Sequence, residues 1–420
     1  MITQDAFTRG NNLIETILQK MSGLKKWRRD FIMHTFMLSL SIHGRFNFLQ
    51  MYRQGKFHEQ TYRNNFETKF DFLTFNRELV NRVSSGEVVI AFDPSYISKS
   101  GKQTPGVGYF YSGVASRYKR GLEIGGIAAI DVKQNTAYHL EAIQTPSAKK
   151  DNVNEDYTLV DHYADLIIQK APELLNISQI LVVDGYFSKY KFVEAIDTHT
   201  AFTVVSRLRD DANLRYLNKK TKNKGRGRPK KYDGKIDTTN IDRRKFAKVH
   251  HDEEHIVYEA VVHSMSLKRR IKVAYVEFLD DNQNVALCKM FFSTDLQMPA
   301  MDIVRYYKSR FQIEYLYRDA KQFTGLQHSQ ARSKNKLHFH FNTSLTAVSL
   351  AKAIQRMDAN KDEILRTSIY DVTTELSNRN WIIRIFSMYG FDHNLIKITP
   401  DNFEAYHKYR KLLNFGKIAA

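Results

Sequence analysis

Two short apolar runs, each closed by an aspartate, constrain this chain more than any other feature. Val88 to Phe92 precede Asp93, and ISQILVV precedes Asp184. Four or five consecutive Val, Ile, Leu and Phe residues without polar alternation predict strands buried on both faces, as in a sheet covered by helices. Both carboxylates then emerge at carboxyl ends of strands, where open α/β sheets place their sites. If the strands are parallel neighbours, the carboxylates converge, and converging carboxylates repel unless a cation lies between them or one stays protonated. Oxygen ligands of this kind suit Mg2+ or Mn2+. Taken singly, each aspartate also reads as a turn former, in Asp-Pro and Asp-Gly.

The surrounding texture supports a mixed sheet flanked by helices. NLIETILQKM and FIMHTFMLSL place apolar residues at three- and four-residue steps, predicting an all-helical region over 1–85. Within it, QGKFHEQTYRNNF reads either as a helix-turn-helix recognition element or as a plain helical hairpin. After Asp93, GLEIGGIAAIDV and TAYHLEAIQT read as strands joined by the turn KQNT. EDYTLVDHYADLIIQKA and SKYKFVEAIDT have helical period, and AFTVVSRL reads as a strand. Three further strand-like runs, EHIVYEAVVHSM, RRIKVAYVEFL and NVALCKMFFST, predict a small antiparallel sheet. A long helix is then expected from Pro299 to about Phe323, and the rest to Ala420 reads as mostly helical.

Charge narrows the partner. Lys and Arg number 64 against 45 Asp and Glu, a net +19, which favours a polyanion because each neutralised phosphate releases a counterion. The segment NKKTKNKGRGRPKKY at 218–232 has no acid and cannot form a core, so it reads as a basic loop. Its GRGRP, with Arg226 and Arg228 followed by Lys230 and Lys231, resembles an AT-hook core whose arginines enter a narrow minor groove; a solvated basic linker is the plain alternative. The single cysteine, Cys288, excludes an internal disulfide framework, and the sequence offers neither a signal-peptide layout nor an apolar run of spanning length. These features predict a cytoplasmic protein with no membrane association.

The stretch YYKSRFQIEYLYRDAK at 306–321 sets the carboxylate Glu314 among Tyr, Arg and Lys, with Asp319 off its face. At about 100° per residue on one continuous helix, Tyr307, Arg310, Glu314 and Lys321 fall within roughly 60° of one another. That stripe reads either as a surface salt bridge between Arg310 and Glu314 or as a helix laid beside a phosphodiester, the acid holding a metal and the others gripping oxygens. Phe311, Tyr315 and Tyr317, which flank it, are expected to be unfavourable in solvent.

The spacing of these four residues, together with the preceding Asp93 and Asp184, resembles bacterial cut-and-paste DDE transposases of the insertion-sequence-4 type, whose signature runs Tyr, two residues, Arg, three, Glu, six, Lys. The resemblance spans roughly residues 85–345. It implies a ribonuclease H-like α/β core with Asp93 on the first strand, Asp184 on the fourth and Glu314 on a later helix, interrupted by an inserted antiparallel β domain. The corresponding division is a helical DNA-binding domain at 1–85, core at 86–209, basic loop and insertion at 210–297, core again at 298–345, and a helical region at 346–420. It further implies two Mg2+ or Mn2+ ions on Asp93, Asp184 and Glu314, with Asp93 bridging both. Tyr307, Arg310 and Lys321 would contact DNA phosphates. The implied partners are double-stranded DNA, both terminal inverted repeats and target, and a second copy of the chain in a synaptic complex at the bacterial nucleoid. The implied reaction sequence is nicking, hairpin formation and opening, and strand transfer. A ribonuclease H-like nuclease or domesticated transposase without strand transfer, and a DNA-binding protein that has lost catalysis, remain the alternatives.

One departure concerns the flipped base that hairpin-forming members stack on tryptophan. The only tryptophans, Trp27 and Trp381, lie outside the catalytic segment, leaving Tyr258, Tyr275 or Phe278 as substitutes. Asp131 also ends a strand-like run but is expected at the far edge of the sheet. His250, His251, His255 and His263 lack a cysteine set or a HExxH frame for zinc. Asp319 is expected to be solvated or paired with lysine, and LHFHFN at 337–342 reads as helix packing.

Overall fold

The computed structural model describes residues 5–147, 157–218, 230–357, 368–390 and 403–418. The chain clusters into two units: Met1–Glu87 with Pro94–Asp151 and Ile313–Ala420, and Val88–Asp93 with Asn152–Gln312.

The first unit opens with helices α1 (Ala6–Lys20), α2 (Lys26–Ser41), α3 (Phe48–Gln54), α4 (Glu59–Glu67) and α5 (Phe72–Val83). Asp5, Asn47 and Asp71 start α1, α3 and α5 by accepting the backbone N–H three residues on, at 2.8, 3.0 and 3.0 Å. The three- and four-residue apolar steps become the core, with Ile14, Ile17, Phe31, Ile32 and Phe36 fully buried. The helix-turn-helix reading reduces to α3, a turn at Gly55–His58, and α4.

Strand β1 (Val88–Ser98) begins in the second unit and runs into the first. The antiparallel strands β2 (Gly108–Ser112), β3 (Arg117–Asp131) and β4 (Thr136–Gln144) follow, in registers such as Gly108↔Gly121 and Asp131↔Thr136. Sequence reading missed β2: its tyrosines Tyr109 and Tyr111 face solvent, so the run carries little apolar signal. Asp131 has a structural task. Fully buried at the end of β3, it accepts from Ser85 N and Ser85 Oγ, both at 2.6 Å, and from Gln134 N at 2.9 Å.

The second unit holds α6 (Leu159–Leu174), β5 (Ile180–Val183), α7 (Tyr190–His199) and β6 (Thr203–Arg207). It continues through β7 (Leu214–Leu217), β8 (Tyr232–Lys235), β9 (Ala247–His251), β10 (His255–Ser264), β11 (Arg269–Leu279), β12 (Val285–Ser293) and α8 (Ala300–Ser309). β1 pairs parallel with β5, and β5 parallel with β6. β6 then pairs antiparallel with β12, through Phe291↔Arg207 and Ser293↔Val205, and the order continues to β11, β10, β7 and β8, with β9 on β10. This mixed sheet with its helices makes the fold α/β. The strands expected to stand apart as a small sheet instead extend the sheet of β1, β5 and β6, because β12 occupies the edge of β6 that would otherwise present unpaired backbone groups. With β2 present, Asp184 follows the fifth strand in chain order, not the fourth.

In the first unit, α9 (Gln312–Phe323, from Ile313 on) leads to α10 (Lys334–Arg356), α11 (Ile369–Met388) and α12 (Phe403–Asn414). The LHFHFN segment does pack: Phe339 and Phe341 are buried in α10. One face of α10 also completes the hydrogen bonding of β4. Asn342 receives Ala142 N at 2.8 Å and donates to Ala142 O at 2.9 Å; Ser349 Oγ accepts from His139 N at 2.8 Å; Lys352 Nζ donates to Ala137 O at 3.0 Å. Asn76 on α5 adds a bond to Leu140 O at 2.9 Å. The cost falls on Lys352, whose burial pushes its ammonium down to about 8, partly offset by Asp319.

That depression fixes a pH dependence. Between the folded value near 8 and the ordinary lysine value, the unfolded chain binds more protons than the folded one, so this group's contribution to stability rises with pH. Relative to Lys352→Met, the wild-type chain should therefore gain stability between pH 7 and pH 10, by about 1–3 kcal/mol. Denaturant melts of both proteins at the two pH values check this; a constant difference would refute it.

Candidate active site

Phe92, the last β1 residue paired with β5, packs its ring 5.5 Å from Tyr163 of α6 and 5.5 Å from Phe187, which lies 4.9 Å from Phe192 of α7. This aromatic floor fixes two adjacent parallel strands in the register Phe92↔Val183. Asp93 and Asp184 are the next residue on each strand, so they leave the ladder side by side. β1 continues to Ser98, and Asp93 thus lies inside a strand rather than at its end; what stops at Phe92 is the pairing with β5.

The turn-forming alternative for Asp184 fails on its side chain. A short 3-10 turn, Gly185–Phe187, does begin there, but the backbone carbonyl makes it, accepting from Phe187 N at 2.9 Å and Ser206 Oγ at 3.1 Å. The carboxylate instead accepts from the Tyr307 hydroxyl at 3.2 Å. Arg310 reaches both acids: Nη1 lies 3.8 Å from Asp93 Oδ1 and Nη2 3.9 Å from Asp184 Oδ1. Arg310 is 9% exposed, and its guanidinium sits 5.7 Å from the centre of the Tyr307 ring, which in turn packs 4.8 Å from Phe291 of β12. Burial, then the Asp184 charge, push the Tyr307 phenol up to about 12, keeping it a donor at any physiological pH.

Tyr307 and Arg310 do not share one continuous helix with Glu314 and Lys321. α8 ends at Ser309 and α9 begins at Gln312. Ser309 Oγ donates to Tyr306 O at 2.8 Å, Arg310 N is shared between Tyr306 O at 3.3 Å and Tyr307 O at 3.2 Å, and Phe311 N reaches Lys308 O at 3.4 Å, so the ladder tightens where the two helices meet. The single stripe expected from sequence is therefore two short pieces. Glu314 stands half-buried in the first turn of α9, and Lys321 in its last turn donates to Ser95 Oγ at 3.0 Å. Both belong to the first unit, whereas Asp93, Asp184, Tyr307 and Arg310 belong to the second.

Other expectations change. Phe311 and Tyr315 are 45% and 36% exposed, and only Tyr317 of the three flanking aromatics is buried. Tyr258 and Tyr275 are buried in the sheet, so neither presents a face to a base. Asp319 is buried rather than solvated, paired with Arg318 at 3.0 Å and close enough to act on the Lys352 ammonium. Arg226 and Arg228 lie outside the described residues, while Lys230 and Lys231 are exposed at the start of β8.

Two features went unread in the sequence. Tyr186, two residues past Asp184, is 47% exposed with the Lys189 ammonium 3.8 Å above its ring. In the first unit, Arg45, Lys99, Lys102 and Arg332 line a cleft of about 480 Å3, together with Gly101 and Gln330 and without any Asp or Glu. The signal for that cleft was present only as the Gly- and Lys-rich SKSGKQ at 98–103, whose partners are remote in sequence.

Residues 161–350 match the family model of the transposase DDE domain. The matched segment contains Asp184, Tyr307, Arg310, Glu314 and Lys321; Asp93 lies before it. No curated protein matches the chain. The domain match supports a DDE transposase, an enzyme class that acts on DNA and typically uses divalent metal ions. No helix among the described residues is long and apolar enough to cross a membrane.

The aspartate pair fits such ions on its own chemistry: hard oxygen donors face a space where a monocation, the Arg310 guanidinium, stands near both. Arg310→Met should accordingly destabilise the metal-free protein by about 1–3 kcal/mol, and Mg2+ should raise its Tm more than that of wild type. Equal Mg2+ responses in thermal melts would count against the pair as a cation site.

Proposed function

We propose that this protein is the transposase of an insertion sequence, excising the element at its terminal inverted repeats and joining it to target DNA. The observation that carries this reading is the register-matched pair Asp93 and Asp184 with Arg310 between them, within or beside a segment that matches the DDE domain. Asp93, Asp184 and Glu314 would hold two Mg2+ or Mn2+ ions. When bound, the ions supply activation of a water or a 3′ hydroxyl and stabilisation of the leaving oxygen.

The chain's own residues do the remaining work. Arg310 neutralises the aspartates before DNA arrives and can exchange a carboxylate for a phosphate oxygen, which its planar fork suits equally. Tyr307 holds the Asp184 carboxylate in place as a permanent donor. Lys321 supplies a further phosphate contact, and the acid-free cleft of Arg45, Lys99, Lys102 and Arg332 offers a path for more backbone. Lys230, Lys231 and the Arg226 and Arg228 loop add electrostatic grip, and the N-terminal helices provide end recognition, as the division at 1–85, 86–209, 210–297, 298–345 and 346–420 implies. If cleavage proceeds through a hairpin, Tyr186 takes the stacking role, because its exposed ring lies two residues from Asp184, whereas Tyr258 and Tyr275 are buried and Phe278 is half-buried. Synapsis of two ends would use a homodimer.

Incubation of the full chain with a labelled element end and Mg2+ tests the reading. Nicked, hairpin and joined products are expected. Asp93→Ala, Asp184→Ala and Glu314→Ala should each abolish cleavage while binding persists, and normal cleavage by any one removes that residue from the site. Lys321→Ala should weaken binding and reduce the salt slope by about 1. Cleavage without joining would favour the nuclease alternative, and shifted but intact DNA a binding protein without catalysis.

A further inference from the structure

Away from the aspartate pair, one group of metal-ligating side chains stands out among the described residues: His250, Asp252 and His255. The sequence HHDEEH has no cysteine and no HExxH frame, so linear spacing alone did not mark it. The β9–β10 hairpin creates the site by folding the run back on itself. His250 lies near the end of β9, Asp252 in the turn, and His255 at the start of β10. The two imidazole rings lie 5.2 Å apart.

One carboxylate faces both rings. Asp252 Oδ2 lies 2.8 Å from His250 Nε2, and Asp252 Oδ1 lies 3.1 Å from His255 Nδ1. All three ligand atoms fall within 4.8 Å of one another. In a tetrahedral zinc site with bonds near 2.0–2.1 Å, adjacent ligand atoms are about 3.3 Å apart. Asp252 thus faces each ring with one of its two oxygens at distances close to that edge, and one ligand atom from each residue lies within 4.8 Å of the others.

The turn is also held before any ion arrives. Asp252 Oδ1 accepts Glu254 N at 2.9 Å and His255 N at 2.8 Å, Asp252 N donates to His255 O at 3.1 Å, and Leu279 N from β11 donates to Glu254 O at 2.8 Å. Asp252, Glu253 and Glu254 give the turn a negative field; Lys308, close enough to act on His255, opposes it only in part. Two imidazoles with one carboxylate select a borderline transition-metal ion over Mg2+, which prefers oxygen alone.

We propose that His250, Asp252 and His255 bind one divalent transition-metal ion of the zinc class, clipping the tip of the β9–β10 hairpin, with water completing the coordination. This site is separate from the proposed DNA-cleaving centre and does not rest on the transposase reading.

Equilibrium dialysis of the full-length protein against Zn2+, with excess Mg2+ present to occupy oxygen-only sites, tests it. Wild type should retain one equivalent of zinc, and its Tm should rise with Zn2+. His250→Gln and His255→Gln should each lose that equivalent and the Tm rise while keeping the wild-type circular dichroism, whereas His251→Gln, whose ring is outside the cluster, should keep both. No retained zinc in wild type, undiminished zinc in His250→Gln and His255→Gln, or equal loss in His251→Gln would overturn the proposal.

Discussion

Two like charges are forced together at the ends of neighbouring strands, and much of the second unit can be understood as the answer to that. Parallel strands lie about 4.8 Å apart, so carboxylates one residue beyond the register Phe92↔Val183 start from adjacent positions. Two unit charges about 5 Å apart repel by about 3 kcal/mol at an effective dielectric of 20, whereas each attraction to a cation near 4 Å is worth about 4 kcal/mol. Arg310, at 3.8 and 3.9 Å, thus makes two attractions against one repulsion. The surplus helps explain how Arg310 can be 9% exposed despite the cost of desolvation.

The first unit meets a different constraint with polar groups. β4 pairs with β3 along one edge and needs partners along the other. α10 supplies them through Asn342, Ser349 and Lys352, spaced seven and three residues apart and therefore near one face of the helix. Asn342 presents an amide that offers Ala142 both a donor and an acceptor, as another strand would. A helix with only leucines on that face would have left these backbone groups unsatisfied, at about 1–3 kcal/mol each. This is why α10 carries Asn, Ser and Lys deep in a hydrophobic environment, and why Lys352 tolerates a depressed pKa.

Local periodicity made most elements legible. The N-terminal helices, β1, β3 to β6, α6, α7 and β10 to β12 follow from runs whose apolar period matches the element, and Asp93 and Asp184 were visible because a buried strand must stop being apolar somewhere. What stayed illegible was set by partners far away in sequence. β2 exists through its pairing with β3, not through its own exposed tyrosines. The attachment of β12 to β6 depends on an edge that composition does not advertise. Tyr258 and Tyr275 read as available rings, yet both lie in stretches of β10 and β11 where consecutive residues are buried. The His250, Asp252, His255 cluster needed the hairpin before its spacing meant anything.

The break between α8 and α9 changes what the Tyr, Arg, Glu, Lys spacing means physically. On one rigid helix, the four residues would be tied to a single stripe, and any motion that moved Arg310 would carry Glu314 by the same rotation. Ser309 and the tightened turns at Arg310 and Phe311 interrupt that helix. Tyr307 and Arg310 are instead oriented by what they touch, namely Phe291, Asp93 and Asp184, while Lys321 is oriented by Ser95. Spacing alone predicts neighbours on one face of a continuous helix; the structure interrupts that helix between Ser309 and Gln312, so what each residue touches, rather than its spacing, sets its orientation.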